Sequence, residues 1–361
     1  MFGLYEILNN IKFGKLHNKE RVLVTGSAGF IGAAVVLELL KKGYEVIGID
    51  NLNDYYDVSL KKGRLNNIEN NVDLNKVNYF FKEISITNKK SLDDLFLKHK
   101  PSICIHLAAQ AGVRYSIENP LSYTENNLNG FSNILESCRN FGVKNLVYAS
   151  SSSVYGGNQK VPFSEEDPVN HPVSFYAATK RANELMAHTY SHLYGLSATG
   201  LRFFTVYGPW GRPDMAPMIF AKAILAGDTF EIFNYGKMQR DFTYIDDIVL
   251  GIIKCAEKQA SKNLSFDKFN PDPATSFASH RIFNIGNNNP VPLMQFVELL
   301  EKALKIKAKF VLKEMQPGDV PETLSDTKLL EKWVGYKPNT NIEEGVEKFI
   351  KWYLRYYKES F

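Results

Sequence analysis

The sequence is poor in cysteine. There are three in 361 residues, Cys104, Cys138 and Cys255, and no two form a C-x-x-C pair. An odd, scattered set leaves no disulfide framework and no thiolate cluster for zinc, so no metal is expected, and a reducing, cytoplasmic setting is. No run of about 18 apolar residues occurs, which argues against a membrane-spanning helix. The opening MFGLYEILNNIKFGKLHNKE has no apolar stretch ending in a small-residue cleavage site, which argues against a secretory leader. Neither sign of charge dominates: 43 Lys and Arg against 39 Asp and Glu leave +4, far below the charge density of a nucleic-acid binder. Hydrophobic residues at 44% and charged ones at 23% exclude a disordered chain. Internal repeats are also lacking, so the length implies one large domain, or a large domain with a lobe attached.

Residues 1–20 read as an extension with helical periodicity, Phe2, Leu4, Ile7, Leu8 and Ile11 sharing one face. Few basic residues accompany them, which favours a docked or frayed tail over a membrane-surface helix. From Arg21 the pattern becomes regular. RVLVTG, EVIGID, ICIHLAA and NLVYASS read as buried strands, each followed by small residues or a turn and then a helical stretch. Strands alternating with helices predict an α/β fold, a doubly wound parallel sheet. After about residue 180 the alternation fades. SATGLRFFTVYG reads as one more strand, GPWGRPDMAP as a Pro/Gly-rich turn, and KNLSFDKFNPDPATSFAS as a surface loop. The expected division is an extension at 1–20, a dinucleotide-binding domain at 21–205, and a lobe at 206–361 with some segments returning to the first domain. The tail IEEGVEKFIKWYLRYYKESF is expected to be an amphipathic helix with packed aromatics.

Two motifs carry chemistry. Gly26, Gly29 and Gly32 follow a strand and open a helix. Gly26 suits a tight turn, Gly29 lets backbone approach a pyrophosphate at the positive end of the helix, and Gly32 permits close helix–strand packing. Asp50 ends the next strand, where a carboxylate binds ribose hydroxyls and repels a 2′-phosphate; this favours NAD over NADP. The second motif is Tyr176 and Lys180, one helical turn apart, with Ser150 to Ser153 ending another strand. Beyond the carboxyl ends of a parallel sheet these groups border one crevice. A phenol with an ordinary pKa of about 10 needs nearby positive charge to act as a base near neutrality. Lys180 and an oxidised nicotinamide are the expected sources, with a serine hydroxyl as proton relay.

In this order GxxGxxG, HLAAQAGVRYS, SSSSVYG and YAATK resemble the extended short-chain dehydrogenase/reductase family. DNLNDYYDVSLK, QAGVRYSIENP, FFTVYGPWGRPDMA, MQRDFTYIDDI, FNIGNNNPVPL and QPGDVPET narrow the resemblance to nucleotide-sugar 4-epimerases, and most closely to the UDP-glucuronate 4-epimerases, over about residues 20–355. The resemblance implies a Rossmann-type domain with a smaller C-terminal α/β lobe that binds the nucleotide sugar. It implies tightly bound NAD, recycled in each turnover, a UDP-sugar substrate, and a homodimer. Gly26, Gly29, Phe30, Ile31 and Gly32 would lie at the pyrophosphate, and Asp50, Asn51 and Leu52 at the adenosine ribose. Leu107, Ala108, Ala109, Gln110 and Asn126 would line the cofactor. Ser151, Tyr176 and Lys180 match the catalytic trio, with Thr205 beside the nicotinamide and substrate, and Arg240 and Asp319 on the UDP diphosphate and uridine ribose. Ser85, with Ile86 next, stands where relatives usually carry an aspartate against the adenine.

Family dehydratases place an Asp-Glu pair before VYG and uronate decarboxylases a Glu; here Ser152 and Ser153 stand there. The pattern therefore favours epimerisation alone, and the resemblance implies UDP-glucuronate to UDP-galacturonate through a 4-keto sugar, in service of polysaccharide synthesis. A 4-keto uronate is a β-keto acid that loses CO2 unless its carboxylate is held in a safe orientation. Ser152, Ser153, Thr205 and Arg212 are the candidates for holding it, with a plain surface role open for Arg212. Arg114 reaches either the substrate or a loop-stabilising ion pair. His106 reads as structural, since no acid or metal partner accompanies it. A 4-epimerase of neutral UDP-sugars (UDP-glucose or UDP-N-acetylglucosamine), a net-redox dehydrogenase and a non-catalytic nucleotide-binding protein are the alternatives.

Overall fold

The computed structural model describes residues 20–316 and 318–357. The periodic segment at the N-terminus lies outside the described residues except for its last position. Twelve strands are present among them: β1 (Arg21–Thr25), β2 (Glu45–Asp50), β3 (Tyr79–Glu83), β4 (Ile103–His106), β5 (Asn145–Ser151), β6 (Ser197–Phe203), β7 (Thr205–Tyr207), β8 (Thr229–Ile232), β9 (Gln239–Tyr244), β10 (His280–Ile285), β11 (Pro290–Pro292) and β12 (Lys309–Leu312). Seven form one sheet in the order β10-β6-β5-β4-β1-β2-β3, with every pair parallel. The chain's winding reverses between β1 and β4, which opens a crevice at the carboxyl ends of these two strands.

Period-two alternation divides the core. On β1, Val22 and Val24 face one side and Leu23 the other. The first side is covered by α1 (Phe30–Lys41), then α2 (Val58–Asn70) beside it, and by a helix at Ile245–Glu257. The second side is covered by α3 (Lys89–His99), α4 (Gly130–Asn140) and α5 (Phe175–Tyr194). Each fully buried aliphatic or aromatic side chain contributes roughly 1.5–3 kcal/mol. None of the described helices is long and apolar enough to cross a membrane.

The C-terminal half builds a smaller lobe. β7 and β11 flank β9 in a three-stranded sheet, and β12 pairs with β8. SATGLRFFTVYG is two strands, not the single one expected. Phe204 breaks the run, so β6 stays in the large sheet while β7 crosses into the lobe. A uniform apolar run cannot signal that change of sheet. HRIFNI, which has no helical partner beside it in sequence, returns to the large sheet as β10. The loop before it is exposed, Phe269 fully so. The tail forms a helix at Ile342–Tyr356 whose buried face includes Phe349, Trp352 and Tyr353.

Candidate active site

A cleft of about 1150 Å3 runs along the carboxyl ends of β1, β4, β5 and β6 and continues into the lobe. Single small-molecule pockets span roughly 300–1,000 Å3, so this cleft has room for two ligands. At one end lies the glycine turn. Gly26 has φ +70°, and a Cβ there would meet Ala108 N at 2.8 Å. At Gly29 a Cβ would lie 2.9 Å from Gly26 O, and at Gly32 only 2.0 Å from the same oxygen. α1 starts at Phe30 with no side-chain cap and no acidic residue in its first turn. An uncapped helix start behind a side-chain-free cradle fits a pyrophosphate. Asp50 accepts hydrogen bonds from Ala28 N (3.1 Å) and Leu52 N (2.9 Å), which shapes the ribose end. These residues fit NAD.

Phe30, Ile31, Asn51, Ile86, Leu107, Ala108, Ala109, Gln110 and Asn126 also face the cleft. Leu52 and Ser85 do not. Leu52 contributes backbone at φ +47°, and the Ser85 hydroxyl is bonded to Thr87 Oγ1 at 2.8 Å, leaving Ile84 and Ile86 as the apolar wall. Asn126 turns its amide to Ser122 O (2.9 Å), whereas Asn127, not singled out in the sequence, ties the site together. Its side chain pairs with both backbone groups of Gln110 (2.8 and 3.0 Å) and donates to Thr179 Oγ1 (3.0 Å), while its carbonyl accepts from Asn183 (2.7 Å). Asn127 lies in a π-helical turn, Thr124–Asn129, a register change that 3.6-residue periodicity does not reveal.

Ser151, Tyr176 and Lys180 come together at the middle of the cleft. Ser151 ends β5 and caps a short 3-10 turn, accepting from Ser153 N at 3.1 Å. Ser174 caps α5 and accepts from Ala177 N (3.1 Å), which sets Tyr176 in the first turn. Lys180 is buried, donates to Ala149 O at 2.9 Å, and lies 6.0 Å from the Tyr176 ring centre. Burial holds its ammonium down to about 8. Tyr176 shifts the opposite way. Burial pushes the phenol up, and the opposing influences are the Ser151 hydroxyl and the Arg212 charge. Lys180 donates to the backbone while its ammonium stays beside the ring, and Arg212 is a second cation near the phenol.

One turn below Lys180, Glu184 is buried. It accepts from Ser150 Oγ (2.6 Å) and makes a two-pronged pair with Arg202 (2.9 and 3.0 Å). Burial alone pushes its carboxyl up, but Arg202, Ser150 and Arg181 outweigh it and hold it low. Tyr176, Lys180 and Glu184 share an i, i+4, i+8 face, the one sequence signal by which Glu184 was findable.

At the lobe end Arg212 is mostly buried and paired with Asp214 through Nε (3.0 Å) and Nη2; its Nη1 has no partner among the described residues. Asp214 also accepts from Tyr55 Oη (3.2 Å). Ser152, Ser153 and Thr205 also line the cleft. Arg240 is fixed by the carbonyls of Gln239 (2.9 Å) and Pro321 (3.1 Å). Arg114 makes an ion pair with Asp319 (3.1 Å), lies over the Phe233 ring and lines the cleft. His106 is buried, bonded to Thr25 Oγ1 (2.8 Å), stacked on Phe131 and held down to about 3 by burial, so it stays neutral. No group of three or more potential metal ligands occurs among the described residues.

A family model described as GDP-mannose 4,6 dehydratase matches residues 23–349. Protein CapI of Staphylococcus aureus is 52% identical over 94% of this chain and all of its own length. UDP-glucuronate 4-epimerase 4 of Arabidopsis thaliana is 49% identical over 94% of this chain and 77% of its own. Among solved structures, UDP-glucuronic acid 4-epimerase from Bacillus cereus, in complex with UDP-glucuronic acid and NAD, superposes with a TM-score of 0.81 at 29% identity, covering 93% of this chain and 100% of that one.

Proposed function

Since the chain belongs to the NAD-dependent nucleotide-sugar epimerases of the extended short-chain dehydrogenase/reductase family, and so epimerises a UDP-sugar with tightly bound NAD, we propose that its substrate is UDP-glucuronate and its product UDP-galacturonate. The observation that carries this reading is Arg212: a mostly buried guanidinium with Nη1 open, lining the same cleft as Tyr176, Ser152, Ser153 and Thr205. A carboxylate on the reacting sugar is the ligand such a cluster suits.

When bound, NAD supplies a reversible two-electron acceptor for the C4 hydrogen. Tyr176 Oη takes the C4 hydroxyl proton and later returns it, with Ser151 Oγ as the proton relay. Lys180 keeps positive charge behind the phenol. Ser152, Ser153, Thr205 and Arg212 hold the carboxylate away from the orientation in which the β-keto acid loses CO2. Arg240 and Asp319 hold the UDP end, and Arg114 orients Asp319. Gly26, Gly29, Phe30, Ile31 and Gly32 hold the pyrophosphate, with Asp50 and Asn51 at the ribose, Ile86 at the adenine, and Leu107 to Gln110 and Asn126 along the cofactor. Residues 21–205 serve chiefly as cofactor domain and 206–361 as nucleotide-sugar lobe. The exposed Ile117, Leu121, Leu185 and Leu193 offer an apolar helical face for a homodimer.

One observation favours the neutral-sugar alternative: Asp214 already pairs with Arg212 and offsets its charge. Incubating the purified protein without added NAD with UDP-glucuronate, UDP-glucose and UDP-N-acetylglucosamine, and resolving the diastereomers, separates the two. UDP-galacturonate is the expected product; turnover of neutral sugars alone overturns the reading.

A further inference from the structure

Arg64, in the middle of α2, stands apart from every residue assigned above. It is 1% exposed and among the largest fully buried side chains. No carboxylate pairs with it among the described residues, yet each of its five N–H groups is used. Nη1 donates to Ala28 O (3.0 Å) and Tyr56 Oη (2.7 Å). Nε and Nη2 both donate to Trp210 O (3.0 and 2.8 Å), and Nη2 also to Gly211 O (3.2 Å). Burying a guanidinium is costly unless all its donors are satisfied, so this arrangement strongly constrains the carbonyls it holds.

Those carbonyls belong to two separate parts of the site. Ala28 lies within the glycine turn. Trp210 and Gly211 lie in the turn that leads into Arg212, and Trp210 has φ +66°, a left-handed conformation that a bulky side chain adopts only when its surroundings enforce it. Its indole is wedged by Trp352 and Tyr356, with ring centres 5.2 and 4.8 Å away, and a Cβ on Gly63 would stand 3.0 Å from it. Two residues on, Arg212 enters the cleft.

We propose that Arg64 is a positioning residue that clamps the strained Trp210 turn to the glycine turn and thereby sets the aim of Arg212 at the substrate. The proposal rests on the reading that Arg212 grips a sugar carboxylate. Lysine keeps the charge but has three donors and no planar fork, so it cannot hold three carbonyls and a phenol at once.

Calorimetric titration of the NAD-loaded full chain in a Tyr176→Phe background measures binding without turnover. The quantity read is the Kd for UDP-glucuronate divided by that for UDP-glucose. Arg64→Lys is expected to raise this ratio about tenfold, Arg212→Ala at least as much, and the double variant no more than Arg212→Ala alone. A purely structural role weakens both sugars together and leaves the ratio unchanged, which overturns the proposal. Additive effects in the double variant overturn it too, because Arg64 then acts by another route. If Arg212→Ala itself leaves the ratio unchanged, the carboxylate reading fails and this inference falls with it, a pattern distinct from failure of Arg64 alone. Should Arg64→Lys not fold, Tyr56→Phe removes one acceptor of the clamp; a two- to threefold rise in the ratio is expected, and an unchanged ratio counts against the clamp.

Discussion

At the scale of single residues, proton handling depends on a half-buried phenol and a buried ammonium whose shifts run in opposite directions. The Tyr176 phenol is pushed up by burial and the Lys180 ammonium is pushed down to about 8 by the same cause. A phenol that resists ionisation in the resting protein acts as base once positive charge reaches it. Tyr176→Phe therefore removes the proton acceptor without touching the glycine turn. Turnover is expected to fall by at least about a hundredfold, while the NAD content of the purified protein stays near that of the wild type. Normal activity in this variant contradicts the assignment. Lys180 is cationic below about pH 8 and loses its charge above it. The rate is expected to decline as pH rises through 8, and Lys180→Arg, which stays charged, to shift that decline upward. A flat profile to pH 9.5 in the wild type shows that the ammonium has no part in the rate.

At the scale of elements, the β1–α1 connection is the tightest joint in the site. Helix and strand meet so closely at Gly32 that a single methyl group would stand 2.0 Å from Gly26 O, a backbone atom with little freedom to yield. Gly32→Ala must displace the turn or the helix, and overpacking of this kind costs about 1–3 kcal/mol. The expected result is protein that purifies with much less NAD, read from its absorbance ratio, and with a lowered Tm. Full NAD content would mean that the cradle tolerates the shift. This joint was legible beforehand, because three glycines at fixed spacing between a strand and a helix have one good physical explanation. The Asn127 tie was not. It depends on a π turn that rotates one amide by a position relative to the helical pattern, so the neighbouring Asn126 was the residue the motif suggested. The local bond of the Ser85 hydroxyl to Thr87 was likewise not legible.

At the scale of the whole molecule, a buried polar network joins the lobe-facing loop to the sheet. Glu165 Oε1 accepts from Asn284 N (2.7 Å), Asn284 Oδ1 accepts from Tyr155 Oη (2.7 Å), and Arg202 donates to Tyr155 Oη (3.0 Å) and to Glu184. Burial pushes the Glu165 carboxyl up from 4.5 to about 7. The folded protein thus holds a proton there that the unfolded chain releases near pH 4.5. Between about pH 4.5 and 7 the native state binds more protons, so this group's contribution to stability falls as pH rises, by up to about 3 kcal/mol in total. Glu165→Gln keeps an acceptor for Asn284 N and removes the titration. Its urea midpoint relative to wild type is expected to be higher at pH 8 than at pH 5. An equal difference at both values shows that Glu165 is ionised throughout.

From sequence alone came the parallel sheet, the glycine turn and the shared helical face of Tyr176 and Lys180, because each rests on spacing along a strand, a turn or one face of a helix, and local geometry converts such spacing directly into position; the family came from the resemblance of whole motifs. Tertiary structure decided what distant segments do to one another: that Phe204 divides one apolar run between two sheets, that Asp214 pairs with Arg212, that Arg114 holds Asp319, and that Arg64 joins the glycine turn at Ala28 to the turn at Trp210. Burial and charge at those contacts depend on how the whole chain packs, and no short-range pattern encodes that.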